Sequence, residues 1–234
     1  MKHGNLRLIG TSHIASQSIK EIKKAFDDKP EIVALELDKP RLYGLLHPEQ
    51  RRAGFFELSK VVGVRGALFA QLARFAQRHF GRQVGIEPGS DMLSAYLLAK
   101  ENNSKIFLID QPIDLTLRYF SQTITWKEKF RLVWDILTSP FNKGESVSID
   151  LRKVPEKKMI VFLLEKLKER YPTFHKVLVE DRNRFMARKL RHLMDEHPDD
   201  KILAVVGAGH EEGIIKLLKS METAPSHSWT VEYG

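Results

Sequence analysis

Residues 201–213 read KILAVVGAGHEEG, five consecutive apolar side chains that close in glycines and a histidine. Six residues without polar alternation are the length of a strand buried on both faces, and such strands belong to a parallel sheet covered by helices. The stretch is expected to break at Gly207-Ala208-Gly209, with a helix over 214–221 and a strand-like run over 229–233 following it. EIVALEL at 31–37 has the same character, and Pro40 prevents its simple extension. RLIG at 7–10 runs into Thr11, Ser12 and His13, and Ser16 then opens a helical pattern that includes SIKEIKKAFDDK at 18–29. QVGIE at 83–87 is punctuated by Pro88-Gly89, Ser90 reads as the cap of DMLSAYLLAKEN at 91–102, and KIFLI at 105–109 ends at Asp110. Strands alternating with helices at this spacing predict an α/β domain, a mostly parallel central sheet flanked by helices.

One domain over 1–234 accommodates all of this. Residues 55–80 have helical periodicity around Gly63 and Gly66, with Phe55, Phe56, Phe69, Phe75 and Phe80 marking core or a homodimer surface. Residues 115–197 are helical almost throughout and are broken by a loop at 139–154 that carries Pro140 and Gly144. They read as a helical insertion, a lid, in the second half.

With no cysteine among 234 residues, disulfide scaffolds, thiolate metal sites and thiol nucleophiles are excluded. Any metal must sit on His, Asp or Glu. The net charge of +8 raises the question of a nucleic acid or an anionic membrane, but acids are interspersed with the basic residues, so no dedicated nucleic-acid face is expected. The longest apolar candidate, 55–80, is broken by Glu57, Lys60, Arg65, Arg74 and Arg78 and cannot span a bilayer. MKHGNLRLIG lacks a signal-peptide pattern, which makes a cytoplasmic location the expectation.

The strand candidates end in reactive groups: His13, Glu36 with Asp38, Glu87, Asp110 and His210. Ligands of open parallel sheets bind outside the carboxyl ends of the strands. Gly10-Thr11-Ser12-His13 and Gly207-Ala208-Gly209-His210 place a glycine at the same offset before each imidazole, which suits two tight turns facing one pocket. The bland alternatives are loop histidines satisfied by hydrogen bonds and a Glu36 neutralised by Arg41, five residues on. Two imidazoles and one or two carboxylates would form an N/O site for a divalent metal, or a histidine general base oriented by Glu36 or Glu87; the spacing fits both. Gly207, Gly209 and Gly213 mimic a dinucleotide fingerprint with Glu232 downstream, but the spacing is one residue longer than the standard form.

GTSHIASQS, IVALELDKPR, GIEPGSDMLSAYLLA, LIDQPIDLTLR, VEDRNRFMARKL and VVGAGHEEGI together resemble, in order, the blocks of the TraB or pheromone-shutdown family, related to the Tiki metalloproteases and the erythromycin esterases. The resemblance implies a metal site of His13, Glu36 and His210 taking Mn, Co or Zn, with Glu87 and Arg41 in the same cluster and Glu180, Asp181 and Arg182 as a polar brace beside it. Gln111 departs from the arginine common after the aspartate, Asp91 replaces a usual glutamate, and Glu211-Glu212 crowd the second histidine.

The expected function is accordingly a metal-dependent, peptidase-like hydrolase acting on a peptide or small molecule, with Glu36, Glu87, His13 and Arg41 carrying the chemistry. Two alternatives stand beside it: a non-catalytic protein that sequesters a peptide or ligand, and a metal-free, esterase-like hydrolase with His13 as general base. Association with a membrane is left open without being expected.

Overall fold

The computed structural model describes residues 1–11, 15–48, 89–138 and 156–223. Strands β1 (Lys2–His3), β2 (Leu6–Thr11), β3 (Ile32–Leu35), β4 (Lys105–Leu108) and β5 (Ile202–Gly207) form one sheet in the order β1-β2-β5-β3-β4. Only the β1–β2 pairing is antiparallel; β5 lies parallel between β2 and β3, and β4 closes the row on β3. The mixed, mostly parallel α/β class is the one the strand patterns predict.

Helices α1 (Ala15–Phe26) and α3 (Ser90–Glu101) cover one face of the sheet; α8 (Asp181–Glu196) and α9 (Ala208–Thr223) cover the other. The period-two alternation of strand side chains sorts the core. Ile202, Ala204 and Val206 join Leu6, Leu8 and Ile32 under Met186, Leu190, Ile214 and Leu218, while Leu203 and Val205 join Ile9, Val33 and Leu35 under Ile22, Phe26, Met92 and Ala95. Burying both faces of β5 explains why KILAVV has no polar alternation.

The other described helices are α2 (Lys39–Leu46), α4 (Ile113–Thr123), α5 (Trp126–Thr138), α6 (Glu156–Arg170), the single turn α7 (Pro172–His175) and a π-helical turn at Lys176–Glu180 that leads into α8. Phe120, Phe174 and Val177 form a satellite core against Leu132 and Leu167. Buried Glu128 ties this region together. Its carboxylate accepts from the Thr125 backbone and hydroxyl at the start of α5 and, at 2.7 Å, from the backbone N–H of Thr173 in α7.

Three local expectations are corrected. GAGHEEG is no loop: Gly207 ends β5 and Ala208 begins α9, so His210 sits in the first turn of a helix. Neither Gly207 nor Gly209 has a positive φ. Their use is close approach, since a Cβ on Gly209 would lie 2.7 Å from Leu164 Cδ1. Ser90 is inside α3, whose N-cap is Gly89 at φ 90°, pressed on Leu45. The β1–β2 hairpin was not anticipated; Gly4 (φ 55°) and Asn5 make its two-residue turn. The strands expected at 83–87 and 229–233, the helical stretch 55–80 and the loop 139–154 lie outside the described residues. Among the described residues no helix is long and apolar enough to cross a membrane.

Candidate functional site

The register brings four chain exits to one edge. Thr11 is level with Gly207, and Leu35 is level with Val205 and Leu108. Backbone pairing continues past the strands: Glu36 N donates to Val205 O at 3.0 Å and Ile109 N to Leu35 O at 2.9 Å. Just past the strands the chain bends, at Glu36 with Leu37 N donating back to Leu35 O at 2.7 Å and again at Asp110, and both carboxylates lie at the carboxyl edge, 6% and 3% exposed.

Buried carboxylates need partners, and the partner is Arg182 of α8. Its Nη2 donates to Glu36 Oε1 and, at 2.7 Å, to Asp110 Oδ2, while its Nε reaches Asp110 Oδ1 at 2.9 Å. The Asp110 contact is thus a two-pronged guanidinium–carboxylate pair. Arg41 Nη1 donates to the same Asp110 Oδ2, and the Gln111 backbone N–H to Oδ1 at 2.8 Å. The second Glu36 oxygen accepts from the Gly207 backbone N–H. A Cβ on Gly207 would stand 3.3 Å from that oxygen, so glycine lets the carboxylate close on the strand end. Two carboxylates and two guanidinium groups leave the cluster neutral in sum.

His210 completes it from the first turn of α9. Nδ1 lies 2.7 Å from Asn183 Oδ1, an acceptor, so Nδ1 carries the proton and Nε2 is left with its lone pair. Nε2 faces Arg182 Nη1 at 3.2 Å, which donates to it, and Glu36 Oε1 at 3.4 Å. Asn183 fits because residue 213 is glycine; a Cβ there would fall 2.3 Å from Asn183 Nδ2.

Electrostatics agree with this tautomer. Burial pushes the His210 pKa down, and although the Glu36 charge opposes this, Arg182 supports it, so the ring is neutral at pH 7. Burial also disfavours the Glu36 carboxylate, but the charge on a protonated His210, the Arg182 guanidinium, the Gly207 amide and Arg41 outweigh it and hold Glu36 at about 2. For Arg182, burial acts against the charge and the two carboxylates more than restore it, raising the pKa.

The rim is polar. Asp38 caps α2 by accepting from Arg41 N at 2.7 Å and also accepts from Ile113 N at 2.8 Å, which fixes Arg41 and α4 relative to β3. At the end of β2 the Thr11 hydroxyl donates to buried Asp91, and a Cβ on Gly10 would meet Glu211 Oε2 at 2.5 Å.

Of the residues expected from sequence, Glu36 and His210 come together and Arg41 stands beside them on Asp110; His13 and Glu87 lie outside the described residues. Arg41 is not the hydrogen-bonding partner of Glu36, as expected; Arg182 takes that place because α8 delivers a guanidinium directly over the edge. Arg182 is thereby central rather than a brace, whereas Glu180 and Asp181 pair outward with Lys168, His175, Lys176 and Arg184. Asn183 was not anticipated. Its signal was present: it falls three, four and seven residues before Met186, Ala187 and Leu190, on the apolar stripe of α8, where a lone amide must have a purpose.

The expected metal site can be followed only in part, because His13 and Glu87 lie outside the described residues. Among the described residues no group of three His, Asp or Glu is placed to hold a metal ion. The two donors that do converge, Glu36 Oε1 and His210 Nε2, both carry hydrogen bonds from Arg182, whose permanent charge stands against any cation there.

Comparison with known proteins is consistent with the motif order. The profile of the TraB/PrgY/gumN family matches residues 2–226. The chain is 35% identical over 222 residues to an uncharacterized protein of Methanocaldococcus jannaschii, an alignment covering 93% of this chain and 54% of the relative. It is 25% identical to the TraB domain-containing protein of Homo sapiens and 24% to that of Mus musculus, covering 89% of this chain and 61% of each relative. The chain thus spans a little over half the length of the relatives it matches. On a profile match that spans nearly the whole chain, the chain belongs to the TraB/PrgY/gumN family.

Proposed function

We propose that the chain is a hydrolase for a carbonyl substrate, a peptide before an ester, whose fixed cation is Arg182 rather than a metal ion. One observation carries this: a neutral imidazole whose Nε2 lone pair faces an ionised carboxylate and a guanidinium at the carboxyl edge of the sheet.

The steps follow from charge. The substrate carbonyl oxygen takes a hydrogen bond from a guanidinium, Arg182 or the more exposed Arg41, either of which stabilises the oxyanion as it forms. Water exchanges for the Nη1 contact at His210 Nε2, gives its proton to Nε2, and its oxygen bonds to the carbonyl carbon. Glu36, 3.4 Å away, steadies the imidazolium, and Asn183 keeps Nδ1–H in place throughout. Collapse of the tetrahedral intermediate breaks the bond to the leaving group, which takes the proton from Nε2. His13, outside the described residues, enters only through the resemblance, as a second base.

Turnover of ester and peptide substrates with and without exhaustive chelation tests this, alongside elemental analysis of the wild type and a His13→Ala, His210→Ala double variant. Activity that survives chelation and is lost in His210→Ala is expected. Near-stoichiometric Mn, Co or Zn that disappears in the double variant would overturn the metal-free mechanism in favour of a metal-dependent one. Peptide binding without turnover would mark a sequestering protein.

A further inference from the structure

Helix α5 carries an aromatic stripe unrelated to the site. Trp126, Phe130 and Trp134, spaced four apart and so on one face, are 68%, 72% and 66% exposed. The opposite face is committed to the protein: Leu132 packs into the satellite core, Glu128 caps α5 and α7, and Asp135 accepts from Arg170 Nε at 2.7 Å and from the Tyr171 hydroxyl. Both acids of the helix are therefore spent inward. What borders the stripe outside is basic, Lys127 on one side and Lys129 on the other, with Lys129 Nζ 4.5 Å over the Trp126 ring.

Aromatic side chains at the crest and lysines at the margins, with no free carboxylate, are the distribution of a helix that lies in a membrane interface. We infer that α5 docks the protein on an anionic lipid surface, the aromatic crest entering the headgroup layer and Lys127 and Lys129 facing lipid phosphates and carboxylates. The charge pattern selects this occupant. An isologous contact between two copies centred on the stripe would bring the same lysine margins together, whereas an anionic bilayer is complementary to them. The inference does not depend on the hydrolase reading and leaves the Glu36–Arg182–His210 cluster outside the interface.

Flotation of the full chain with vesicles of equal parts phosphatidylcholine and phosphatidylserine tests it, against vesicles of phosphatidylcholine alone, with tryptophan emission followed in parallel. Co-flotation with the anionic vesicles is expected, weakened by salt and accompanied by a blue shift. Lys127→Gln with Lys129→Gln should lower partitioning by about 25-fold, at roughly fivefold for each lysine near the surface. Trp126→Ser with Phe130→Ser should lower it on the order of tenfold or more. Both pairs are surface substitutions, so unchanged circular dichroism and melting are the control for folding. No flotation of the wild type, or flotation equal in both variants, would overturn the inference. So would a wild-type dimer in sedimentation that Trp126→Ser with Phe130→Ser dissolves, because the stripe would then belong to a second copy.

Discussion

Replacing Arg182 with leucine removes the one group that binds Glu36, Asp110 and His210 at once. Glu36 is 6% exposed and Asp110 3%, so neither carboxylate can turn to water without opening the sheet edge. Holding Glu36 at about 2 rather than the ordinary 4.5 amounts to ~3 kcal/mol at about 1.4 kcal/mol per pH unit, of which Arg182, second to His210 among the groups that favour the carboxylate, supplies a part. Removing one partner of a buried ion pair costs about 3–5 kcal/mol, so the unfolding free energy at pH 8 should fall by that amount and Tm by on the order of 10 °C. The pH dependence gives the sharper test. The wild-type ring, its pKa lowered first by burial, loses stability as pH falls below the unfolded value of about 6.5. With Arg182 gone, burial still opposes a proton on His210 but Glu36 and Asp110 favour it without that guanidinium against them, so the folded pKa moves up and less stability is lost as pH falls. The deficit of the variant should therefore shrink markedly between pH 8 and pH 5 in urea titrations. A deficit under about 1 kcal/mol, or one equal at both pH values, would refute the central place given to Arg182.

Three further outcomes are expected. Asn183→Leu should release the tautomer, so that long-range proton–nitrogen NMR of His210, which should show a protonated Nδ1 and a bare Nε2 in the wild type, reports a mixture; an unchanged spectrum would remove Asn183 from its positioning role. Gly213→Ala should displace the Asn183 amide and cost about 1–3 kcal/mol, with the same change at His210, read by melting and NMR together. In His210→Leu, the loss of stability that the wild type shows below about pH 6.5 should be absent in parallel denaturation series, whereas the loss nearer pH 4, where Glu36 begins to lose its advantage over the unfolded chain, should remain but be smaller, since His210 leads the groups that favour that carboxylate.

What could be read from sequence was what depends on period and burial. The apolar runs at 202–206 and 32–35 are unbroken because β5 and β3 are covered on both faces, and that alone implies a parallel sheet and a site at its carboxyl edge. Glu36 and His210 were legible because each terminates such a run. The start of α9 was not, since two glycines within four residues read as a turn, whereas here they are small residues where Leu164 and Glu36 press on the backbone. Arg182 was placed beside the cluster by the resemblance alone, and its central role had no local pattern: 146 positions separate it from Glu36, and the packing of α8 over the sheet brings them together. Asn183 was legible in principle, as a polar residue on an apolar stripe.

The position of β5 has a consequence for how this protein is made. Residues 202–207 lie between β2 and β3, so those two strands have no direct hydrogen-bonded contact and each presents an open edge until β5 arrives. A nascent chain still lacking that segment holds the sheet in two halves with apolar faces uncovered. Closure therefore waits for residues 202–207, the last of the described strands in chain order. Insertion of that one strand joins the halves and sets Glu36 against His210 in a single event.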